Sequence, residues 1–223
     1  MTDTNRCKQC GSCCRKGGPV LRREDLYLVF QGHIRHDQLV AIRCGEMGYN
    51  PATSRLEPVP VELLKVRGQG SGWTCLFFAE DENACAIYAH RPATCRILKC
   101  WQPEALLATI YQDTLCRADL INHHDLILAE IDRHERACSG RLFTELLSQG
   151  GGTEALAHLT ELVRADLAIR AEVVKTAGFS LEMEMFIFGR PFFKQLAGSG
   201  IECVKENVEI RLQRLSPTSP LLS

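Results

Sequence analysis

No run of eighteen consecutive apolar residues occurs in this chain, so no stretch reads as a membrane-spanning helix. Surplus charge of one sign is missing too. The 26 Lys and Arg stand against 27 Asp and Glu, a formal charge of -1, which leaves little to neutralise a phosphate backbone and argues against a nucleic-acid partner. The opening MTDTNRCKQC is polar where a secretory signal would carry a basic patch and an apolar stretch. The expectation is a cytoplasmic protein with neither membrane nor nucleic acid as partner. The glycines of GQGSG at 68–72 fit neither the dinucleotide fingerprint nor the P-loop. No nucleophile, base and orienting acid can be assembled from spacing, so no catalytic residue is named.

Cysteine, by contrast, is abundant. Twelve occur in 223 residues, and 45% of the chain is apolar, enough for a core that needs no disulfide framework. In a reducing compartment such a set points to metal binding. Ten of the twelve precede residue 117, and only Cys138 and Cys203 follow. The densest stretch is CKQCGSCC at 7–14. Its C-x-x-C steps can bend thiolates round a metal, but it departs from a ferredoxin run because Cys14 follows Cys13 directly and no Cys-Pro follows.

Local patterns predict short helices over REDLYLVFQG and HDQLVAIR, then loops from Cys44 to Gly72 with one short strand near 59–66. In WTCLFFAEDENACAIYAHRPATCR, two β-prone runs, 75–78 and 85–88, flank the polar turn AEDENA and predict a hairpin. Pro92 suits the first turn of a helix carrying Cys95, and Pro103 another. Further on, Leu120, His124, Ile127, Ile131, His134 and Cys138 alternate at four and three, the stripe of an amphipathic helix. RLFTELLSQ predicts a further helix. Thr153 is a candidate cap for one that buries Leu156, Leu159, Val163, Leu167, Ala171 and Val174 and ends at Gly178; Ser180 caps LEMEMFIF. His134, Cys138 and Cys203 read as packing residues.

Adjacent side chains diverge on a strand or helix, so Cys13 and Cys14 are expected to serve different metals or two irons of one larger cluster. Cys7, Cys10, Cys13 and Cys14 then need Cys75, Cys85, Cys95 and Cys116 to make two sets of four, with Cys100 as spare or substitute. Thiolate sets of this kind carry net negative charge, and Arg15, Arg96 and Arg117, each following a cysteine, are candidate counter-cations.

The motifs CKQCGSCC (7–14), TCLFF (74–78), CAIYAHRPATCR (85–96) and CRA (116–118) resemble the zinc- or iron-chelating CxxCxxCC cysteine-cluster family. The resemblance covers residues 5–118 and implies the ligands Cys7, Cys10, Cys13, Cys14, Cys75, Cys85, Cys95 and Cys116. It also implies a bound metal or iron–sulfur cluster, and the oxidoreductase label that members carry. An iron–sulfur protein working with a protein redox partner is the leading expectation; a zinc scaffold and a metal-delivery protein are the alternatives. The expected architecture is mostly α with a small β-hairpin. A loop-rich, metal-centred module (1–118) packs on a helical region (119–215), continuous with it or separate, and a frayed tail (216–223) follows.

Overall fold

The computed structural model describes residues 7, 9–70, 72–150, 152–178, 180–206 and 209–215; the predicted frayed tail lies outside them. A short helical turn at Arg23–Asp25 leads into α1 (Leu26–Phe30), as its sequence predicts. HDQLVAIR behaves otherwise. Only His36–Gln38 turns, and Leu39–Ile42 extends as strand β1, buried along its whole length. Its apolar run is short and bears β-branched residues, which suits a strand buried on both faces better than a surface helix.

Strand β1 is antiparallel to β4 (Leu63–Val66), in the register Leu39↔Val66 to Ile42↔Leu63. Between them lies the hairpin β2 (Met47–Asn50) and β3 (Arg55–Pro58). Two small ladders follow: β5 (Gly68–Gln69) with β6 (Thr74–Cys75), and β7 (Phe78–Ala79) with β8 (Ala84–Cys85). The expected hairpin round AEDENA is therefore present but shorter, and Cys75 belongs to the preceding ladder.

Helix α2 (Ala93–Ile97) starts directly after Pro92, and α3 (Glu104–Leu107) after Pro103. Helix α4 occupies only Ile127–Ala137. Its predicted start is lost to local bonding, because Asn122 Oδ1 accepts from the His124 N–H at 3.0 Å and Asp125 Oδ1 from that of Ile127 at 3.0 Å. Side chains that bond their own backbone in this way compete with the helix, and His124 is left exposed. Helix α5 (Gly140–Ser148) is capped by Ser139, and α6 (Thr153–Ala177) begins after Gly152 rather than at a Thr153 cap. Gly178, at φ 67°, closes α6 in the left-handed conformation that glycine adopts freely. Helices α7 (Leu181–Ile187), capped by Ser180, and α8 (Phe192–Gln195) follow.

The chain ends in an unexpected hairpin, β9 (Ile201–Glu206) and β10 (Glu209–Arg214), packed on α6. The mostly α expectation with one small hairpin is thus corrected. Among the described residues there are five two-stranded antiparallel sheets beside the helices. The strands are two to six residues long, and turn residues divide them, so they leave only a weak pattern in the sequence.

One apolar core runs from Leu21 and Leu28 through Leu64, Phe78 and Leu115 to Leu159, Phe188 and Leu212. The cysteine-bearing ladders and the carboxy-terminal helices share it.

The α6 face that meets this core is Ala155, Leu159, Leu162, Val163, Asp166, Ile169, Arg170 and Val173, rotated from the predicted stripe. The rotation places two charges inside. Asp166 Oδ1 accepts from His134 Nε2 at 2.7 Å and from Arg170 Nε at 2.8 Å, and Asp166 Oδ2 from the Phe192 N–H at 3.0 Å. Arg43, also fully buried, donates to Glu46 Oε1 at 2.6 Å, to His134 Nδ1 at 3.2 Å and to the Cys138 carbonyl at 2.9 Å. Buried charges persist when paired and hydrogen-bonded in this way. Among the described residues no helix is long and apolar enough to cross a membrane.

Candidate metal centre

The amino-terminal cysteines are carried on a loop that the hairpin β7–β8 holds in place. Asn83, in the turn of that hairpin, donates to the Gln9 carbonyl at 3.2 Å and accepts from Arg15 Nη2 at 3.4 Å. Arg15 in turn donates to the Cys10 carbonyl at 3.0 Å and lies over the Phe78 ring, 4.8 Å from its centroid. Gly11 sits between them at φ 72°, where a Cβ would come within 2.2 Å of the Phe78 ring. Both the dihedral and the contact require glycine. Gly11→Ala is therefore expected to dislodge the loop and cut the metal bound per chain severalfold with little loss of helix, as elemental analysis and circular dichroism would show.

The other cysteines come from three separate elements. Cys75 ends β6, which packs against the turn Cys14–Lys16, and Cys85 ends β8. Cys95 rides on α2, which is tied back by Thr94 Oγ1 donating to the Val20 carbonyl at 2.6 Å and by Asp25 Oδ1 accepting from the Ala93 N–H at 2.8 Å. Cys75 is buried, Cys14, Cys85 and Cys95 are half-buried, and Cys7, Cys10 and Cys13 are exposed.

Charge interactions link the thiols of these segments. Burial pushes the Cys14 thiol up to about 12, reinforced by Cys13, Cys75 and Cys85. Cys95 is raised first by burial and then by Cys75, Cys13, Cys14 and Cys85. In Cys75 burial again dominates, with Cys85 and Cys13 adding to it and the Phe77 N–H opposing. Cys85 repeats the pattern: burial raises it, Cys13 and Cys7 add, and the Ile87 N–H and Arg91 oppose. Each of these last two sulfurs is thus met by the N–H two residues on, a donor suited to a thiolate. Cys14, Cys75, Cys85 and Cys95, raised by burial and by neighbouring thiols, are poorly stable as free thiolates, and a metal ion removes the conflict by displacing their protons.

Cys13 and Cys14 do not diverge as adjacent residues were expected to. Their sulfurs lie 4.0 Å apart, near the roughly 3.8 Å edge of a tetrahedron of sulfurs at about 2.3 Å from one metal. The pair occupies the cap and first residue of a tight turn rather than an extended strand, which lets both side chains lean the same way.

Cys10 belongs to the same loop and contacts Ser12 Oγ at 3.2 Å. Cys116 stands apart. Its thiol donates to Asp119 Oδ2 at 3.2 Å, and the charges bearing on it are those of Asp119 and Glu62. Cys100 and Cys44 are exposed, Cys203 is half-buried on β9, and Cys138 is buried.

The arginines expected as counter-cations are otherwise engaged. Arg96 pairs with Glu24 at 3.1 Å, and Arg117 with Glu62 and Glu135, each at 2.6 Å; Arg15 makes the contacts above.

His134 and Cys138 are expected as packing residues, yet their ligand atoms and that of Asp166 all lie within 4.8 Å of one another. This trio is a poor cation site. Both His134 nitrogens are already hydrogen-bonded, and the guanidinium groups of Arg43 and Arg170 touch the same groups. Arg43 donates to Nδ1, so Nε2 carries the proton and the ring is neutral. Burial, opposed by Asp166, keeps His134 below its ordinary pKa.

Four chain segments thus bring cysteines within electrostatic reach of one another, a thiol set suited to metal chelation, although among the described residues the close group of three possible ligands is His134, Cys138 and Asp166. Comparison with known families agrees: residues 6–117 match the family described as "CxxCxxCC: Putative zinc- or iron-chelating domain", and the chain belongs to it. No curated protein and no solved structure matches the chain.

Proposed function

We propose that this protein holds an iron–sulfur centre through Cys7, Cys13, Cys14, Cys75, Cys85 and Cys95, with Cys10 available from the same loop, and passes electrons to or from a protein partner. The observation that supports this most is the number of thiols that bear on one another. Six couple electrostatically across four chain segments, whereas a single structural zinc takes about four ligands. Sulfur-only surroundings favour iron–sulfur clusters, which supply one-electron transfer when bound. The exposed side, formed by Cys7, Cys10 and Cys13, gives a partner protein close approach.

The 4.0 Å separation of the Cys13 and Cys14 sulfurs favours a second reading. Two thiolates that close can share one zinc, and six can serve two zinc ions that tie the ladders and α2 together as a scaffold. Anaerobic purification followed by iron, zinc and acid-labile sulfide analysis separates the two. The iron–sulfur reading expects a coloured protein with iron and sulfide in comparable amounts. A colourless protein with zinc and no sulfide refutes it.

A further inference from the structure

The geometry points to Lys65 as the cation set against the thiol centre, a positioning residue whose charge offsets that of the bound thiolates and raises their hold on metal. This inference rests on the thiolate centre but not on which metal fills it. Lys65 lies in β4, whose neighbour Val66 hydrogen-bonds to the Pro19 carbonyl at 2.9 Å. The cysteine loop meets the strand at Gly17 and Gly18. A Cβ on Gly18 would come within 2.2 Å of the Val66 carbonyl oxygen, and one on Gly17 within 3.2 Å of Lys65 Nζ. Gly17 ends the turn that starts at Cys14, its N–H donating to the Cys14 carbonyl at 3.1 Å. The paired glycines therefore let the loop rest on the strand and lay the ammonium group beneath the Cys14 turn.

Two features separate Lys65 from Arg15, Arg91, Arg96 and Arg117. Arg15, Arg96 and Arg117 each hold an acidic partner, and Arg91 lies over the Tyr88 ring. The side chain of Lys65, a half-buried residue, makes no hydrogen bond or ion pair with another described residue. The charge that favours its ammonium form is that of Cys75, against burial and Arg190. An ammonium held partly out of water without a carboxylate is favoured by some other anion, and a metal centre of several thiolates carries net negative charge. Lys16, on the same loop, is exposed and serves as the control.

The test uses zinc alone as probe, titrated anaerobically into the metal-free full-length protein against a chromophoric chelator. Lys65→Met keeps the apolar stem and removes the charge; its zinc affinity is expected to fall about tenfold, the scale of one charge acting through a partly shielded site. Lys65→Arg and Lys16→Met should stay within about twofold of wild type, a charge-dependent rescue that a merely structural role would not produce. Urea midpoints of the metal-free variants verify that each is folded. Equal zinc affinity in wild type and Lys65→Met overturns the role of Lys65 and leaves the thiolate centre standing. Equal losses in Lys65→Met and Lys65→Arg also overturn it, because shape and not charge would then be responsible. A wild-type protein that binds no zinc overturns both.

Discussion

Cys75→Ser is expected to reduce the metal bound per chain to about a tenth of wild type or less. Cys75 is the most enclosed thiol of the centre, 5% exposed, and its charge bears on Cys14 and Cys95 alike. A serine oxygen there is a much poorer ligand for soft, thiolate-preferring metals. It would also lose the match to the Phe77 N–H, which now helps the thiolate form. Cys44→Ser, at a thiol that donates to the Pro60 carbonyl, and Cys203→Ser, on β9, should keep the full content. Cys116→Ser is the discriminating variant. The residue falls inside the family match, yet its thiol already donates to Asp119, so metal should be retained. Parallel elemental analysis of the four variants reads all of this. Equal losses in Cys75→Ser and Cys203→Ser would dissolve the division of cysteines on which the centre rests. Loss of metal should leave the carboxy-terminal helices folded, because their core is apolar and extends far from the thiols; helical circular dichroism in the presence of chelator checks that separately.

Features of this centre that could be read from sequence are the ones set by short-range chemistry. The β7–β8 hairpin announces itself by a polar turn between β-prone runs, α2 by Pro92, and the ends of α6 and α7 by Gly178 and Ser180. Spacing and the family resemblance named the candidate thiols, but not which of them share a metal. Long-range partners were hidden. Lys65 looks like one polar residue in the run VELLKV, and only the close approach of Gly18 to Val66 puts it under the cysteine loop. The relation of Cys13 to Cys14 depended on whether the chain there was extended or tightly turned, which the sequence left open.

Strand β1 was mistaken for a helix because four buried residues carry no period of their own. The β9–β10 hairpin leaves the clearest trace of the five, Glu209, Arg211 and Gln213 alternating with Ile210 and Leu212 at period two, though over only five residues. The face of α6 could not be derived from apolarity at all. Asp166 and Arg170 turn inward only because His134, Phe188 and Phe192, from three other segments, satisfy them.

That network sets the second large effect. Asp166→Ala should destabilise the protein by about 3–5 kcal/mol, the usual cost of removing one member of a buried ion pair. Arg170 would keep its bond to the Phe188 carbonyl at 2.9 Å, but its nearest remaining acid is Glu184 at 3.8 Å. The Phe192 N–H and His134 Nε2 would lose their acceptor as well. Asp166→Asn, which preserves volume and one acceptor oxygen, should lose less. Urea unfolding followed by helical circular dichroism measures both, and a change in unfolding free energy below about 1 kcal/mol for the alanine variant would show that the network is not a main support of the fold.

The same groups predict acid lability in two stages. Burial holds His134 below its ordinary pKa, so as pH falls below about 6.5 the unfolded chain takes up a proton that the native state refuses, and stability declines. Burial would raise Asp166, but the His134 hydrogen bond and the Arg170 charge hold it below the usual carboxylate range. Its contribution is complete above about pH 3.9 and disappears only as pH falls through the lower native value. Asp25 and Glu184, raised chiefly by burial, act in the opposite sense, since protonation near their native values relieves a cost. The His134 part is isolated by comparing urea midpoints at pH 7.5 and 5.5 in wild type and His134→Gln. The wild-type midpoint should drop more between the two, and parallel drops would mean that the buried imidazole is not the group that makes the fold acid-sensitive.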